Sequence, residues 1–248
     1  MKFVLVKLLA ASLVIHLVLS PPATSNEPAP LHWGYVHFPP YYFEKEPGVA
    51  AGDLATLLAR LMHDLGREYN GSQYPNRRMI SLLNEGELDL ALVMSSVLEQ
   101  PQWYHRSANP ITTMELAVYW RAGKTPVQQL ADLYNSRLIV MTGFSYGGLR
   151  EKIEPGYGLI RQLIEIEQHR LGMDALQLYR GDYLLNYRHA MPADSEQQLQ
   201  FQVISRIEVF LWLRKSVADS DKLIQQIDAL LASYALEAQN SLAKPSDK

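Results

Sequence analysis

The chain has 248 residues, 48% of them apolar, with 23 lysines and arginines against 26 acids and a formal net charge of −3. A mildly acidic chain without a long basic run is a poor nucleic-acid binder. The absence of cysteine excludes disulfides, zinc–thiolate sites and thiol catalysis.

Lys2 and Lys7 flank the start of an apolar stretch from Leu8 to Leu19, Pro21 and Pro22 end it, and Ala23-Thr24-Ser25 offers a small-x-small cleavage site. That is the anatomy of a secretory signal peptide over residues 1–25. The apolar run, about a dozen residues, is too short to span roughly 30 Å of hydrocarbon. No cysteine follows it, so lipoprotein processing is excluded. Cleavage after Ser25 removes two lysines and no acid, which takes the formal net charge to −5. The product is expected in the periplasm, soluble, with no stable membrane insertion once the signal is cleaved. Its length suits one large domain or two small lobes.

Leu31 to Phe38 is a predicted strand, stopped by Pro39-Pro40. Asp53 is placed as the N-cap of the helix that follows. On it Leu54, Leu57, Leu58, Leu61, Met62 and Leu65 recur at helical spacing before Gly66. Pro75 to Ser96 reads as an amphipathic helix, a Gly86 stop and an apolar strand from Leu88 to Met94, ending in Ser95 and Ser96. A helix feeding a buried strand with small hydroxyls at its carboxyl end is how open α/β sheets present a ligand site. Further strands are predicted at Glu115–Trp120 and Arg137–Met141, the second running into Thr142-Gly143-Phe144-Ser145-Tyr146-Gly147-Gly148. Helices are predicted near Leu159–Gln168 and Met173–Tyr179, and strands at Tyr183–Tyr187, Phe201–Val203 and Val209–Leu213. A final helix carries Leu223, Ile224, Ile227, Leu230, Leu231 and Tyr234 on one stripe, and the polar tail from Leu236 is expected to fray. Leu82–Asp89 and Leu178–Asp182 both close a helix with glycine and enter a strand through aspartate. This echo suggests two α/β lobes of similar build.

Gly143-Phe144-Ser145-Tyr146-Gly147 satisfies G-x-S-x-G after a strong strand, which keeps a secreted serine esterase in view as an alternative. Only His169 and His189 follow Ser145, and the interval from Asp182 to His189 is too short for two separate catalytic loops. No metal site is expected: His32 and His37 lie five apart on the predicted strand and so point to opposite faces. Glu165 and Glu167, two apart on the predicted helix, read as solvation. No phosphate-binding or dinucleotide fingerprint occurs.

Several loose motifs stand in a more specific order. Pro39-Pro40-Tyr41-Tyr42-Phe43 follows the first strand, and Gly52-Asp53-Leu54 opens the first helix. Leu83, Gly86 and Asp89 give L-x-x-G-x-x-D, Ser95-Ser96 and Asn109-Pro110 come later, and Leu130-Ala131-Asp132-Leu133 precedes the Arg137–Met141 strand. Over residues 31 to 235 this order resembles the extracellular solute-binding proteins of family 3, periplasmic receptors that usually serve amino-acid ABC importers. The resemblance implies a two-lobed α/β periplasmic-binding-protein-like (type II) fold with two crossing hinge strands, closing on ligand like a clamshell. Lobe one would comprise 26–113 and 206–240 and lobe two 114–205, with 241–248 a polar tail. The crossings would be Glu115–Trp120 and Ser205–Val209. It further implies a non-catalytic monomer without cofactor that captures a small polar or aromatic solute. Its partner would be an ABC permease or a membrane sensor.

In amino-acid-binding members an arginine grips the substrate carboxylate; that place falls here at Gln100-Pro101. The acid that holds the ammonium falls near Tyr187. Losing both charge-assisted contacts should remove affinity for a zwitterion. What remains is an aromatic-rich cleft of Tyr41, Tyr42, Phe43, Trp103, Tyr104, Phe144 and Tyr146 that could stack a ring, a sugar face or a cation, with Ser95 and Ser96 at the strand end and Ser145 and Tyr146 at a helix entry. Arg78 is the candidate replacement for the missing arginine.

Overall fold

In the computed structural model, which describes residues 28–243, strands and helices alternate. The first part of the chain forms β1 (Leu31–Tyr35), β2 (Phe43–Glu46), β3 (Val49–Ala51), α1 (Asp53–Asp64), β4 (Tyr69–Gln73), α2 (Asn76–Glu85), β5 (Leu90–Val93) and β6 (Tyr104–Arg106). Then come β7 (Thr112–Trp120), β8 (Arg137–Met141), α3 (Leu149–Ile153), β9 (Gln162–Ile166), α4 (His169–Gln177), β10 (Tyr183–Tyr187) and α5 (Ser195–Gln198). β11 (Gln200–Arg214) and α6 (Ser220–Ala243) follow. The signal-peptide segment and the last residues of the polar tail lie outside the described residues. No helix among the described residues is long and apolar enough to cross a membrane.

The main sheet has the order β4-β1-β5-β11-β7-β10-β8-β9, with β6 also on β11. β1 is parallel to β4 and β5, and β8 is parallel to β9 and β10, so each half of the sheet is a parallel α/β unit. β7 and β11 join the halves. β11 runs antiparallel to β7 from Gln200 to Val209, then pairs with β5 and β6 as far as Arg214. Glu115 of β7 accepts hydrogen bonds from Arg206 of β11 and from Arg188 beyond β10, each at 2.9 Å.

Local chemistry places the elements that matter. α1 buries Leu54, Ala55, Leu58, Leu61 and Met62 on one face, which anchors the first core. Its N-cap is Gly52, not Asp53. Gly52 has φ +107°, and a Cβ there would stand 2.5 Å from the Pro40 carbonyl oxygen. Asp53 N–H donates to Pro40 and Leu54 N–H to Tyr41, so the helix start is bonded to the loop that follows β1. α2 ends in a left-handed Gly86, where Gly86 N–H reaches the Leu83 carbonyl and Glu87 N–H the Leu82 carbonyl. This Schellman closure satisfies carbonyls the helix leaves over.

The two aspartates of the sequence echo do the same thing in each half. Asp89 Oδ2 accepts the His32 N–H at 2.9 Å, and Asp89 N–H returns to the His32 carbonyl. Asp182 Oδ2 accepts the Arg137 N–H at 2.8 Å, and Asp182 N–H returns to the Arg137 carbonyl. Each carboxylate thus seats the start of a neighbouring parallel strand. Lys124 and Arg137 add charge to Asp182. Burial pushes that carboxyl up, but the Arg137 N–H and the two cations outweigh it and hold its pKa down at about 2.

Several sequence expectations are corrected. The segment 159–168 contains the strand β9, not a helix, so Glu165 extends from a strand, where it pairs with Arg150. Phe201–Val203 and Val209–Leu213 belong to one strand, β11. β1 ends at Tyr35 rather than Phe38, and α6 continues through Leu236 to Ala243.

Candidate interlobe site

The two halves meet over an aromatic cluster. Phe38, in the loop after β1, lies with its ring 4.8 Å from that of His169 at the start of α4, the planes 17° apart. Phe144, after β8, presents its edge to both, and Tyr187 at the end of β10 meets Phe38 at 5.1 Å. Tyr187 stacks in turn on Tyr146. Behind these rings a cavity of about 30 Å³ is bounded mainly by Phe38, Tyr42, Met79, Met94, Phe144 and Tyr187. That is room for a water molecule or two, not for a solute. No ionisable acid or base lines it; its polar groups are Asn76, Ser145 and the two tyrosine hydroxyls. Burial raises the Tyr187 phenol well above 10, so it is neutral at ordinary pH.

Polar contacts bridge the halves, among them the hydroxyls of Ser145 and Tyr187 on the Met94 sulfur at 3.7 and 3.8 Å. Asn76 Nδ2 donates to the Gly143 carbonyl at 2.8 Å, and the hydroxyls of Ser96 and Ser145 stand 3.4 Å apart. Wider grooves flank the closed centre. One, of about 520 Å³, is lined by His37, Asn76, Arg77, Thr142, Phe144 and Glu167. Another, of about 510 Å³, runs past Pro39, Pro40, His169, Arg170 and His189.

The sequence candidates scatter around this centre. Tyr42 and Ser145 line the cavity. Ser95 and Ser96 line a separate groove together with Arg206 and Phe210. Tyr41 is buried against Phe38 and His189, its phenol raised to about 12 by burial and by the nearby Asp53 and Glu115 carboxylates. Tyr146 is fully buried: its hydroxyl accepts the Met141 N–H and donates to the Leu185 carbonyl, so it is scaffold. Trp103 is 46% exposed beside Lys215, away from the cavity. Arg78 points along α2 to Glu85 at 3.8 Å; Arg77, one residue earlier, faces the other lobe. Phe144, named among the cleft aromatics, lines the cavity, whereas Phe38, Asn76, His169 and Tyr187 were left out of the binding candidates by sequence reasoning. Only Tyr187 carried a signal, as the place where an acid was expected.

Ser145 has none of the surroundings of a nucleophile. Its hydroxyl meets Ser96 at 3.4 Å and the Met94 sulfur at 3.7 Å, and neither can take its proton. His169 is bonded to Asn186 instead. Among the described residues no group of three or more histidines and acids is placed to hold a metal ion.

No protein-family model matches the chain, and no curated protein sequence matches it. Solved structures do. A histidine kinase sensor domain with similarity to periplasmic binding proteins is 17% identical, with a TM-score of 0.69 over 87% of this chain and 94% of that one. An ancestral arginine-binding protein bound to arginine is 17% identical, with a TM-score of 0.66 over 86% of this chain and 95% of that one. The GluR0 ligand-binding core complexed with L-glutamate is 16% identical, with a TM-score of 0.65 over 85% and 96%. This is the two-lobed periplasmic-binding fold. The two parallel α/β units are its lobes, β7 and β11 cross between them, and the aromatic cluster occupies the interlobe cleft.

Proposed function

We propose that this chain is an exported, non-catalytic solute-binding protein, a divergent relative of the family 3 receptors, whose lobes close on a small neutral solute bearing a flat ring. Lobe one is 26–113 with 206–240 and lobe two is 114–205. The protein acts as a periplasmic monomer and presents its closed state to an ABC permease or a membrane sensor.

The observation that carries this reading is the composition of the cleft centre: four aromatic or imidazole rings from both lobes, with no formal charge. Ligand pockets are mostly apolar with a few placed polar groups, and Asn76, Ser145, Tyr42 and Tyr187 are such groups here. A buried carboxylate or ammonium without a partner costs several kcal/mol, so the centre selects against a zwitterion. The structural relatives that bind arginine and glutamate support a solute-binding role. The sensor-domain relative supports a signalling outlet equally well. The Ser96 and Met94 neighbours of Ser145 argue against the esterase alternative.

Since the closed centre holds only a water or two, a solute must enter while the lobes are apart. A ligand that touches both lobes favours closure by its differential contacts alone. A thermal-shift screen of neutral aromatic solutes beside the common amino acids tests the proposal, because a ligand of the folded state raises the melting temperature. Stabilisation by ring compounds and not by amino acids is expected. The reverse pattern would overturn it.

A further inference from the structure

His169 holds a polar atom that the fold leaves without a partner. The residue is 4% exposed, and its Nε2 is buried and makes no hydrogen bond among the described residues. The other nitrogen is committed: Nδ1 lies 2.6 Å from Asn186 Oδ1. Asn186 Oδ1 also accepts the Tyr187 N–H at 2.9 Å, and a backbone N–H can only donate, which fixes that atom as the amide oxygen. The second side-chain atom, Asn186 Nδ2, is turned to the Met191 sulfur. His169 Nδ1 must therefore carry the proton. In the neutral imidazole Nε2 is then a bare lone pair, an acceptor enclosed among rings.

Leaving a buried acceptor unpaired is destabilising, because its lost hydration is not replaced. Nothing in the scaffold requires that cost: Asn186 already positions the ring, and Phe38 covers its face. Phe38 belongs to lobe one and His169 to lobe two, so parting the lobes withdraws that cover. The imidazole, with its unpaired Nε2, then keeps Phe144 of its own lobe as a ring neighbour.

We infer that His169 Nε2 is the specificity-determining acceptor of the cleft, and that the solute is a neutral planar ring carrying one N–H or O–H donor. The ring takes its place within the Phe38–Phe144 cluster, and its donor meets Nε2. Asn186 is a positioning residue that holds the imidazole in the accepting tautomer. This rests on the proposed reading of the cleft as a site for neutral ring solutes and adds to it the hydrogen-bonding class.

Indole and benzofuran test it by isothermal calorimetry on the protein lacking residues 1–25. The two molecules share a shape and differ in presenting a ring N–H or a ring oxygen. Indole should bind at least tenfold more tightly to the wild type, since benzofuran leaves Nε2 unpaired. His169→Phe should bring the two within about twofold. His169→Gln, whose Oε1 can accept, should keep the preference for indole, and circular dichroism checks that both variants fold. Equal affinities in the wild type would overturn the inference and leave the ring-solute reading intact. So would a preference that survives in His169→Phe. Binding of neither compound would overturn both. If His169→Phe does not fold, the wild-type ratio and its retention in His169→Gln decide the matter.

Discussion

Asn76 of the first lobe reaches across the cleft to Gly143 of the second, its amide nitrogen 2.8 Å from the glycine carbonyl oxygen. The bond exists only while the lobes are closed, so it biases the equilibrium between open and closed forms rather than the stability of either lobe. A neutral hydrogen bond of this kind contributes about 1 kcal/mol. Asn76→Ala should therefore move the closed-to-open ratio about fivefold toward open. Small-angle scattering of the free protein should give a larger radius of gyration for the variant. An unchanged radius would mean that the aromatic contacts alone hold the cleft shut.

Acid should loosen the same cleft. Burial lowers the pKa of His169 from 6.5 to about 4, with the nearby His37 acting in the same direction and the bond to Asn186 opposing. Between those two values the unfolded chain binds the proton and the folded one does not. Stability is therefore complete above about pH 6.5 and falls as the pH drops toward 4, by on the order of 3 kcal/mol in all. Urea titrations at pH 7, 5.5 and 4.5 should show the decline. His169→Gln should be flatter over that window.

Asp182 and Asp89 make the same pair of backbone contacts, yet they should not weigh equally. Asp182 has Lys124 at 3.0 Å and Arg137 at 3.4 Å in addition. Asp182→Ala should cost about 2 kcal/mol and Asp89→Ala about 1 kcal/mol in chemical denaturation. The Asp182 carboxyl is depressed from 3.8, so its contribution is present above about pH 3.8 and is lost as the pH falls through about 2. Equal losses for the two variants would contradict this ranking.

Common amino acids should be poor ligands. The cleft centre has no cation for a carboxylate and no anion for an ammonium, and charge-assisted bonds are the strong ones. Calorimetry with glutamate, arginine and histidine should give dissociation constants above about 100 μM. A micromolar constant for any of them would point to Arg77 and Glu167 in the outer groove.

How much of this was legible in the sequence depended on how local each feature is. Arg137–Met141 and Tyr183–Tyr187 are strands over the predicted ranges, because each is a short apolar run bounded by polar or turn residues. The segment from Leu159 was misread because its apolar residues fit helical and strand spacing alike, and pairing with β8 decides between them. Ser205 and Arg206 made β11 look like two strands; the register shift between Val203 and Ser205 lies at that interruption. Arg77 and Arg78 differ by about 100° around a helix, and only the second lobe shows which one faces it. The meeting of Phe38 with His169 had no sequence signal. Neither residue sits in a motif, and their contact exists only because two separate α/β units are brought face to face.

The span of β11 across both lobes sets an order of assembly. In the half built on β7, the strands β8, β9 and β10 all lie between β7 and β11 in the chain, so that half can complete its sheet as it is synthesised. Lobe one cannot, because the partner of β5 is the last part of β11, which is synthesised after all of lobe two. Until then β5 presents Leu90, Ala91, Leu92 and Val93 on an unpaired edge, a template for wrong pairing with another chain. Truncation before Phe210 should therefore yield aggregated protein rather than a soluble half. In the cell, chaperone protection would be needed most by the half that is made first.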